Sequence, residues 1–423
     1  MWIVFIEISP TFERAFHAAH ELGLNILWVG EGNTIPDSIT NLADKSIMLN
    51  NLNFQIISSA VVKLVSKNDI KAFWTLKDKH VPLASRLTHE LGNDYRYPSK
   101  QLVHNTKNKV ALRELFKNTE YNPKYAVINS SKNLQHPFPL QTVVIKPPLG
   151  YASIGVEKVL PSNDFKAAVS RSTSVLNNIA TSVKDHDVKS FNPLNTLLIE
   201  QFIEGSEYSV EVFANETGLH CLGICGKSEM KAPFFEEISY CLPADINEDL
   251  YFKISEAALK IAKIINLNSG MAHIELKVNT NEIKVLDIGL RLGGSGLTHE
   301  LIYLSSGIDL VKAVLAEISN LPTEKYLNNT HTSIALLYLI QVEKGGTLSK
   351  IPNPDLNTLN SKIPEYIRKE IFANAKSTLT GYPNYSGLPG FVLYQINNRS
   401  KYSYERCSDI ITISKDIFRL EYL

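Results

Sequence analysis

The chain has 423 residues, of which 43 are basic and 43 acidic, so its formal net charge at neutral pH is zero. This length exceeds what one hydrophobic core organises and favours two or three domains. The balanced charge argues against nucleic acid or an acidic membrane surface as a partner, and the 44% hydrophobic content is typical of a soluble globular protein.

The N-terminal segment MWIVFIEISP predicts a first strand and not a signal peptide, because no basic residue precedes its short apolar run and Glu7 follows it. No apolar run approaches the roughly 18 residues of a membrane-spanning helix. The four cysteines lie at 221, 225, 241 and 407, and the pair Cys221 and Cys225, with three residues between them, shows neither CxxC spacing nor a plausible disulfide. These features favour buried free thiols and predict a cytoplasmic protein.

The first 104 residues alternate between predicted strands and predicted helices. The strands cover 2–6, 25–29 and 71–75, and the helices cover 10–22, 54–66 and 80–91. This alternation is typical of a parallel sheet with helices packed on it, as in a Rossmann-like domain. The first strand–helix turn, EISPTFE, has no glycine, so the glycine-rich motif for a dinucleotide pyrophosphate is absent and we do not expect NAD to bind.

The next segment, NTKNKVALRELFKN, predicts a helix with Asn105 or Thr106 as its N-cap. Lys109 and Arg113 lie one helical turn apart on the same side of this helix. A binding surface for phosphate is one interpretation, and a solvated basic face is the other.

The segment TVVIKPPLGYASIGVEKVL predicts a strand, a loop and a second strand. The loop contains Gly150, Ser153 and Gly155, whose small side chains let backbone N–H groups approach an anion, and Lys146 ends the strand before it. The loop lacks the Gly-Lys-Ser/Thr of a Walker A motif. A cover over phosphate groups is predicted, with a plain flexible hairpin as the alternative.

The segment LLIEQFIEGSEYSVEV predicts two strands joined by a short linker. Backbone groups of four linker residues are candidates to contact an adenine edge: Glu200, Gln201, Phe202 and Ile203. Glu207 follows soon after and can accept hydrogen bonds from two ribose hydroxyls. This region therefore predicts contacts to a nucleoside.

Residues 271–296, MAHIELKVNTNEIKVLDIGLRLGGSG, predict a hairpin with a three-residue turn at 280–282. The strand periodicity places His273, Glu275 and Lys277 on one face and the alternating apolar residues on the other. On the return strand, the apolar residues expected against the core are Leu286, Ile288 and Leu290.

This register sets Glu275 directly across from Asp287, where two bare carboxylates repel, so a positive group is expected beside them. One interpretation is Mg²⁺ shared with the phosphates of a nucleotide. The other is a solvated face on which Lys277 and Arg291 neutralise the acids.

The rest of the chain gives a coarser picture. Helices are predicted at about 248–266 and 297–320, strands at 332–345 and 390–414, and loops at 352–380. The two strand regions suggest a smaller β-rich C-terminal domain.

Taken in chain order, these motifs resemble the ATP-grasp superfamily, and within it the carboxylate–amine ligases similar to bacterial L-amino acid ligases. The motifs are N-K-x-x-x-R at 108–113, V-I-K-P at 144–147 with the loop to 155, I-E-x-F-I-x-G-x-E-Y-S-V at 199–210, F-x-E-I at 235–238 with Pro243, H-x-E at 273–275, D-x-G-x-R-x-G-G at 287–294 and G-F-V at 390–392. Each is weak alone, and their order carries the resemblance.

The resemblance covers nearly the whole chain and implies a mixed α/β protein of three parts. These are a Rossmann-like domain at 1–104, an α+β ATP-grasp domain at 105–322 with a lid at about 140–204, and a β-rich domain at 323–423. A homodimer, small-molecule substrates and no nucleic-acid or membrane partner are also implied.

The resemblance assigns the α- and β-phosphates of ATP to Lys109 and Lys146, and the cover over the triphosphate to the loop from Gly150 to Gly155. It assigns Mg²⁺ or Mn²⁺ to Glu275 and Asp287. Arg291 steadies the transferred phosphoryl group, and Gly294 lies beside it in the same motif. Glu237, Ser239, Tyr240 and the loop 293–298 are expected to select the substrate.

The implied reaction is transfer of the ATP γ-phosphoryl group to a carboxylate, followed by attack of an amine on the acylphosphate, with release of ADP and phosphate. The sequence departs from the family at one place, since Asp287-Ile288-Gly289 replaces Glu-x-Asn and removes one metal ligand. Two alternatives stay open: activation of bicarbonate by a carboxylase-like enzyme, and an ATP-binding module without turnover.

Overall fold

The computed structural model describes residues 1–9, 11–132, 135–150, 152–179, 195–228, 233–330, 332–384 and 387–423. Its N-terminal part is a parallel sheet of order β3-β2-β1-β4 with helices on both faces, as the alternation predicted. The elements are β1 Trp2–Ile6, α1 Glu13–Glu21, β2 Asn25–Glu31, α2 Asp37–Leu42, β3 Lys45–Leu49, α3 Phe54–Leu64, β4 Ile70–Trp74 and α4 Val81–Leu91. The sequence prediction missed α2 and the edge strand β3.

The side chains of β1 alternate between two cores. Ile3 and Phe5 pack with α1, whereas Val4 and Ile6 pack with α3 and α4. Because β1 and β4 are parallel neighbours, their carboxyl ends lie side by side. The turn after β4 therefore comes close to Glu7, which accepts hydrogen bonds from Lys77 Nζ and His80 Nε2, each at 2.9 Å.

Two helices follow where one was predicted, namely α5 Lys100–Lys107 and α6 Lys109–Leu115. Asn108 separates them, and its side-chain oxygen accepts the N–H groups of Val110 at 3.0 Å and Ala111 at 3.3 Å. The predicted N-cap, Asn105 or Thr106, is therefore wrong, because both residues lie inside α5. The cap at Asn108 starts a new helix and fixes the direction of Lys109.

An antiparallel sheet of order β5-β8-β6-β7, covered by a helix, includes most of the region predicted as a lid at about 140–204 and also takes in β5 before it. Its elements are β5 Tyr125–Asn129, β6 Val143–Lys146, β7 Glu157–Val159, α7 Phe165–Ile179 and β8 Thr196–Gln201. The predicted strand–loop–strand around Lys146 is confirmed by the β6–β7 pair. Residues 180–194 lie outside the described residues.

An eight-stranded antiparallel sheet of order β13-β12-β9-β10-β11-β14-β18-β16 forms the centre of the molecule. Its first elements are β9 Ser206–Asn215, β10 Gly218–Lys227, β11 Ser239–Leu242, α8 Glu248–Ile264, β12 Gly270–Val278 and β13 Ile283–Gly289. Helix α8 packs its apolar face, including Ile254, Ala258 and Ile261, on one side of this sheet.

The β12–β13 hairpin pairs Glu275 with Asp287, as predicted, but reaches this register by a different route. The turn is longer than predicted, since Val278 pairs directly with Ile283, and a bulge between Glu275 and Leu276 restores the expected pairing. The bulge also changes which side chains face the core. Val285 is buried there, whereas Leu286 lines the cavity described below, so the prediction of Leu286 as a core residue is wrong.

The remaining elements are α9 Thr298–Ser306, α10 Leu310–Ile318, β14 Ile334–Leu339, β15 Gly346–Lys350, α11 Leu356–Lys362, β16 Tyr366–Ile371, β17 Thr378–Leu379, β18 Gly390–Ile396, α12 Lys401–Ile417 and β19 Glu421–Tyr422. The single helix predicted at 297–320 is thus two, divided at Gly307, which adopts a left-handed φ of 80°. The segment 352–380 contains α11, β16 and β17 as well as loops.

The strands predicted at 390–414 are right only for β18, because 401–417 forms helix α12. Strands β14, β18 and β16 extend the central sheet, and β17-β15-β19 form a small separate sheet. The proposed domain boundary at 323 therefore divides a chain whose strands on both sides share one sheet. The division into 1–104, 105–322 and 323–423 stays a prediction.

Candidate active site

A cavity of about 340 Å³ lies where the central sheet, the lid and the N-terminal domain meet. It brings together all but one of the site residues predicted from sequence. Those that line it are Lys109, Lys146, Gly150, Ser153, Glu200, Gln201, Phe202, Ile203, Glu207, Glu275, Asp287, Arg291 and Gly294. Residues from five separate stretches of the chain thus converge on one space.

Gly155 is the predicted residue that does not line the cavity. Its φ is +75°, and a Cβ atom there would come within 2.8 Å of the Pro147 side chain and 3.1 Å of Val175. Ser172 Oγ donates a hydrogen bond of 3.1 Å to its carbonyl. Gly155 therefore allows the loop to turn and pack on α7.

A positive group accompanies each of the two facing acids, but the partners differ from those predicted. Glu275 Oε1 accepts from Lys227 Nζ at 3.0 Å, and Asp287 Oδ2 accepts from Lys109 Nζ at 2.8 Å. Lys277 instead lies 4.0 Å from Glu207, and Arg291 pairs with Asp78. The alternative interpretation, in which Lys277 and Arg291 neutralise the two acids, is therefore wrong.

Lys227 lies at the end of β10 and is almost fully buried between three carboxylates. Its Nζ is 2.9 Å from Glu207 Oε1, 2.9 Å from Glu237 Oε1 and 3.0 Å from Glu275 Oε1. Burial alone would lower its pKa, but the three carboxylates outweigh that effect and raise the pKa well above the usual value for lysine. Lys227 therefore stays protonated and holds the three carboxylates together on one side of the cavity.

A second buried ionic group lies at the lid. Glu200 is 2% exposed, and its side chain contacts Arg113 Nε at 2.5 Å and Lys146 Nζ at 2.7 Å. Burial raises the pKa of Glu200, yet Arg113 and Lys146 lower it more, so the carboxylate stays charged. The solvated basic face proposed for Lys109 and Arg113 is wrong, because both side chains are buried.

Arg113 has a structural role in this arrangement. It is 0% exposed and also donates to the carbonyl oxygens of Val285 at 2.8 Å and Leu286 at 2.6 Å. It thus ties α6 and β8 to the strand that carries Asp287. This contact orients Lys109, Lys146 and the acid pair relative to one another.

His273 supports Glu275 from behind. Its Nδ1 is 2.5 Å from Glu211 Oε1, and its Nε2 is 3.4 Å from Glu275 Oε1. Burial disfavours the charged ring, but Glu211 and Glu275 outweigh it and raise the pKa of His273 to about 9. A Cβ atom at Gly293 would lie 2.0 Å from the ring, so only glycine lets this loop pass over it.

Two backbone N–H groups of the linker predicted to contact adenine are already hydrogen-bonded within the protein. Strand β8 continues through Gln201, whose N–H donates to Lys124 O at 2.9 Å, and the Phe202 N–H donates to Thr142 O at 3.0 Å. These two N–H groups are therefore not available to a base. The Phe202 ring is covered by Lys158, whose Nζ lies 3.6 Å from the ring centroid.

The predicted substrate selectors divide into two groups. Glu237, Tyr240 and Gly294 line the cavity, whereas Ser239 is buried elsewhere, and its N–H donates to Ser228 Oγ at 3.2 Å. Glu237 lies beside Lys227, which also lies 5.5 Å from the centre of the Tyr240 ring.

Sequence reasoning missed several charged residues of this site, among them Asp78, Lys107 and Lys227. Asp78 lies in the turn after the buried strand β4, and charged residues at the carboxyl end of a parallel strand are a recognisable signal. Lys227 ends an otherwise uncharged strand, and only the pairing of β10 with β9 brings it beside the acids. Nothing in the sequence around Lys107 distinguishes it from a solvent-exposed lysine.

All four cysteines are free, as predicted; Cys225 and Cys407 are buried, and Cys221 and Cys241 are partly exposed. No helix among the described residues is both long and apolar enough to cross a bilayer.

Comparison with known proteins agrees with the resemblance seen in the motifs. A family model of the ATP-grasp domain matches residues 139–299. Carnosine synthase 1 of Mus musculus is 25% identical over 170 residues, which are 40% of this chain and 20% of that protein. The chain thus corresponds to about one fifth of the length of this relative.

Two solved structures show the same fold along the whole chain. The L-amino acid ligase from Bacillus licheniformis has a TM-score of 0.81 at 22% identity and covers 100% of this chain and 98% of its own. The biotin carboxylase from Campylobacter jejuni has a TM-score of 0.67 at 15% identity, with coverage of 99% and 92%. These likenesses show that the whole chain has the ATP-grasp fold, and the family model shows that residues 139–299 match an ATP-grasp domain.

Proposed function

We propose that the protein is an ATP-dependent ligase that joins a small carboxylic acid, such as an amino acid, to an amine and releases ADP and phosphate. The observation that carries this proposal is that Lys109, Lys146 and Arg291 line the same cavity as the acid pair Glu275 and Asp287. Cations suited to a triphosphate and acids suited to its metal ion thus face one space.

In this proposal, ATP lies between the lid and the central sheet. Lys109 and Lys146 bind the α- and β-phosphates, and the loop from Gly150 to Gly155 covers them. Glu207 accepts hydrogen bonds from the ribose hydroxyls. Because the N–H groups of Gln201 and Phe202 are already bonded, the Ile203 N–H and the linker carbonyls are left to contact adenine.

The donor set fits a hard divalent cation that retains several waters. Glu275 and Asp287 are paired across β12 and β13, and a Cβ atom at Gly289 would meet nothing closer than 3.7 Å, so there is room for a water where the family has asparagine. Glu275 and Asp287 would hold Mg²⁺ or Mn²⁺, which would neutralise phosphate charge. Lys227 contacts Glu275 and Lys109 contacts Asp287, so each acid has a cationic partner within the protein.

The chemistry proceeds in two displacements. A carboxylate oxygen of the acid attacks the γ-phosphorus of ATP, and the bond to the β,γ-bridging oxygen breaks to release ADP. The amine nitrogen then attacks the acyl carbon, phosphate leaves with the electron pair of the C–O bond, and the nitrogen loses a proton. Arg291 stabilises the charge on the phosphoryl group in both steps.

Two features favour ligation of small molecules over activation of bicarbonate. The likeness to the L-amino acid ligase, with a TM-score of 0.81, exceeds that to the biotin carboxylase, with 0.67. One sequence relative is named carnosine synthase 1. The degenerate alternative, ATP binding without turnover, has no feature in its favour beyond the missing ligand at Gly289.

The deciding experiment is a phosphate-release screen of amino acids in pairs with ATP and Mg²⁺. We expect ADP and phosphate to form only when both an acid and an amine are present. With the active pair, ¹⁸O from a labelled substrate carboxylate should appear in phosphate. Phosphate that gains label only from bicarbonate would support the carboxylase alternative, and tight ATP binding without ADP across the panel would support the module without turnover.

A further inference from the structure

The N-terminal domain contributes one wall of the cavity. The turn after β4 brings Leu76, Lys77, Asp78 and Lys79 to its lining, because the carboxyl ends of parallel strands face that space. Asp78 is the most enclosed charged group of this turn, with a side chain 12% exposed. Neither the sequence motifs nor the matched family segment at 139–299 includes it.

Asp78 contacts two basic side chains of the site at once. Its Oδ1 accepts from Arg291 Nε at 2.8 Å, and its Oδ2 pairs with Lys107 Nζ. Arg291 follows β13 and Lys107 ends α5, so one carboxylate joins three parts of the chain. Burial, Arg291 and Lys109 lower the pKa of Lys107 well below the usual value for lysine, although Asp287 raises it, so Arg291 is the cation that Asp78 chiefly compensates.

The contact defines the orientation of the Arg291 guanidinium. Nε donates to Asp78, and Nη1 donates to the carbonyl oxygen of Leu292 at 2.9 Å. Two fixed acceptors on a rigid planar group set the direction of the whole plane, including the remaining N–H groups. The orientation of Arg291 is therefore determined by a residue 213 positions away in another domain.

We propose that Asp78 is the positioning residue for Arg291, and this inference rests on the proposed ligase function. Both carboxylate oxygens are engaged with cations, so Asp78 acts through Arg291 and does not bind the incoming amine. The N-terminal domain thereby aligns the group that stabilises the transferred phosphoryl, while the lid and the central sheet bind ATP.

The kinetic test uses Asp78→Asn, which keeps the size of the side chain and removes its charge. We expect kcat to fall by about 10- to 100-fold, as misplacement of a catalytic group by an ångström does, with the KM for ATP changed by less than about threefold. Asp94→Asn is the matched control, because Asp94 also pairs with a lysine of the N-terminal domain, Lys71, and does not line the cavity.

A double-mutant cycle separates positioning from a general loss of stability. If Asp78 acts through Arg291, then Asp78→Asn should lower kcat by less than about threefold when it is added to Arg291→Lys. If the reduction in kcat of the double variant equals the product of the reductions in the two single variants, the proposal is wrong. Should Asp78→Asn fail to fold, Asp78→Glu keeps the charge and displaces it, and it should show the same selective loss of kcat and the same cycle.

A spectroscopic readout makes the inference independent of turnover. In arginine-labelled ¹⁵N protein, the Nε–H signal of Arg291, assigned through Arg291→Lys, should shift and exchange faster with solvent in Asp78→Asn and not in Asp94→Asn. A wild-type protein that forms no ADP with any substrate pair contradicts the proposed function, while this signal still reports the contact. An active wild type in which Asp78→Asn matches Asp94→Asn in rate and in spectrum overturns the role of Asp78.

Discussion

Lys227 Nζ lies 3.0 Å from Glu275 Oε1, and this contact joins the end of β10 to the strand that carries the proposed metal ligand. The same ammonium also contacts Glu207 and Glu237. Three acids with different proposed roles, in ribose binding, substrate selection and metal binding, thus share one cation. A positively charged ligand group that binds any of these three carboxylates would compete with Lys227.

Removal of that cation should destabilise the fold. Lys227→Met leaves three carboxylates facing one another in a buried position, and we expect the free energy of unfolding to fall by about 3–5 kcal/mol. Urea unfolding at pH 7 measures it. The matched control is Lys260→Met, whose exposed partner is Glu256 four residues away, and which should leave the stability nearly unchanged. Equal losses in the two variants would contradict the burial argument.

Lys146→Ala and Glu275→Ala should each slow ADP formation by about 100-fold or more, because each removes a group that compensates phosphate or metal charge. Initial rates with the active substrate pair measure the effect. Circular dichroism should show a folded protein, since Glu200 keeps Arg113 and Lys227 keeps Glu207 and Glu237 as partners. Full activity in both variants would mean that the site lies elsewhere.

Gly289→Asn should lower the Mg²⁺ concentration needed for half-maximal activity. The new amide adds an oxygen ligand, and the Cβ atom fits, because it would lie 3.7 Å from the nearest Arg291 atom. A titration of Mg²⁺ at saturating ATP provides the measurement, with Gly381→Asn, where a Cβ atom would also meet nothing closer than 3.7 Å, as the control. An unchanged Mg²⁺ requirement would place Gly289 away from the metal ion.

Glu317 provides a pH dependence outside the cavity. It is buried in α10, and Arg96 Nη1 lies 3.8 Å from its Oε2. Burial raises its pKa from 4.5 to about 7, although Arg96 and the Ser269 hydroxyl lower it, and Glu216 and Glu324 add to the rise. The folded state therefore disfavours the charged form.

The sign follows from linkage. Since the folded pKa exceeds the unfolded one, wild-type stability should fall as the pH rises from about 4.5 to about 7. Glu317→Gln should remove this component and stabilise the protein at pH 8 by about 1–2 kcal/mol, after allowance for solvent screening. Urea unfolding at pH 5 and pH 8 tests it, with exposed Glu256→Gln as control. A Glu317→Gln variant that is less stable at pH 8 would contradict the argument.

The hairpin shows how far sequence reasoning reaches. Strand periodicity correctly separated His273, Glu275 and Lys277 from the core residues Ala272, Ile274 and Leu276 on β12. The same reasoning failed on β13, because periodicity contains no information about a bulge that moves Leu286 out of the core. The pairing of the two acids survived because a longer turn and the bulge shift the register in opposite directions.

The C-terminal helix was missed for a related reason. Its sequence contains many isoleucine, threonine and tyrosine residues, which favour strands. The structure instead buries Cys407, Ile410 and Ser414 on one helical face and caps the helix with Ser400, whose side chain accepts the Ser403 N–H. Buried residues spaced three and four positions apart indicate a helix, but the strand propensity of the individual residues masked that pattern.

Contacts between distant segments were beyond prediction. Asp78 and Lys107 line the cavity because the N-terminal sheet and the central sheet are assembled against each other, and Lys227 contacts acids of the cavity because β10 pairs with β9. A single sequence fixes which residue types follow each strand, but it does not state which strand ends meet.

The shared sheet has a practical consequence for anyone dividing this protein. Strand β11, which carries Tyr240, is bonded on one side to β10 and on the other to β14, from beyond residue 323. A fragment that stops at 322 would leave one edge of β11 unpaired beside the cavity. Its free backbone N–H and C=O groups could then pair with strands of other chains. Expression trials should keep both halves together.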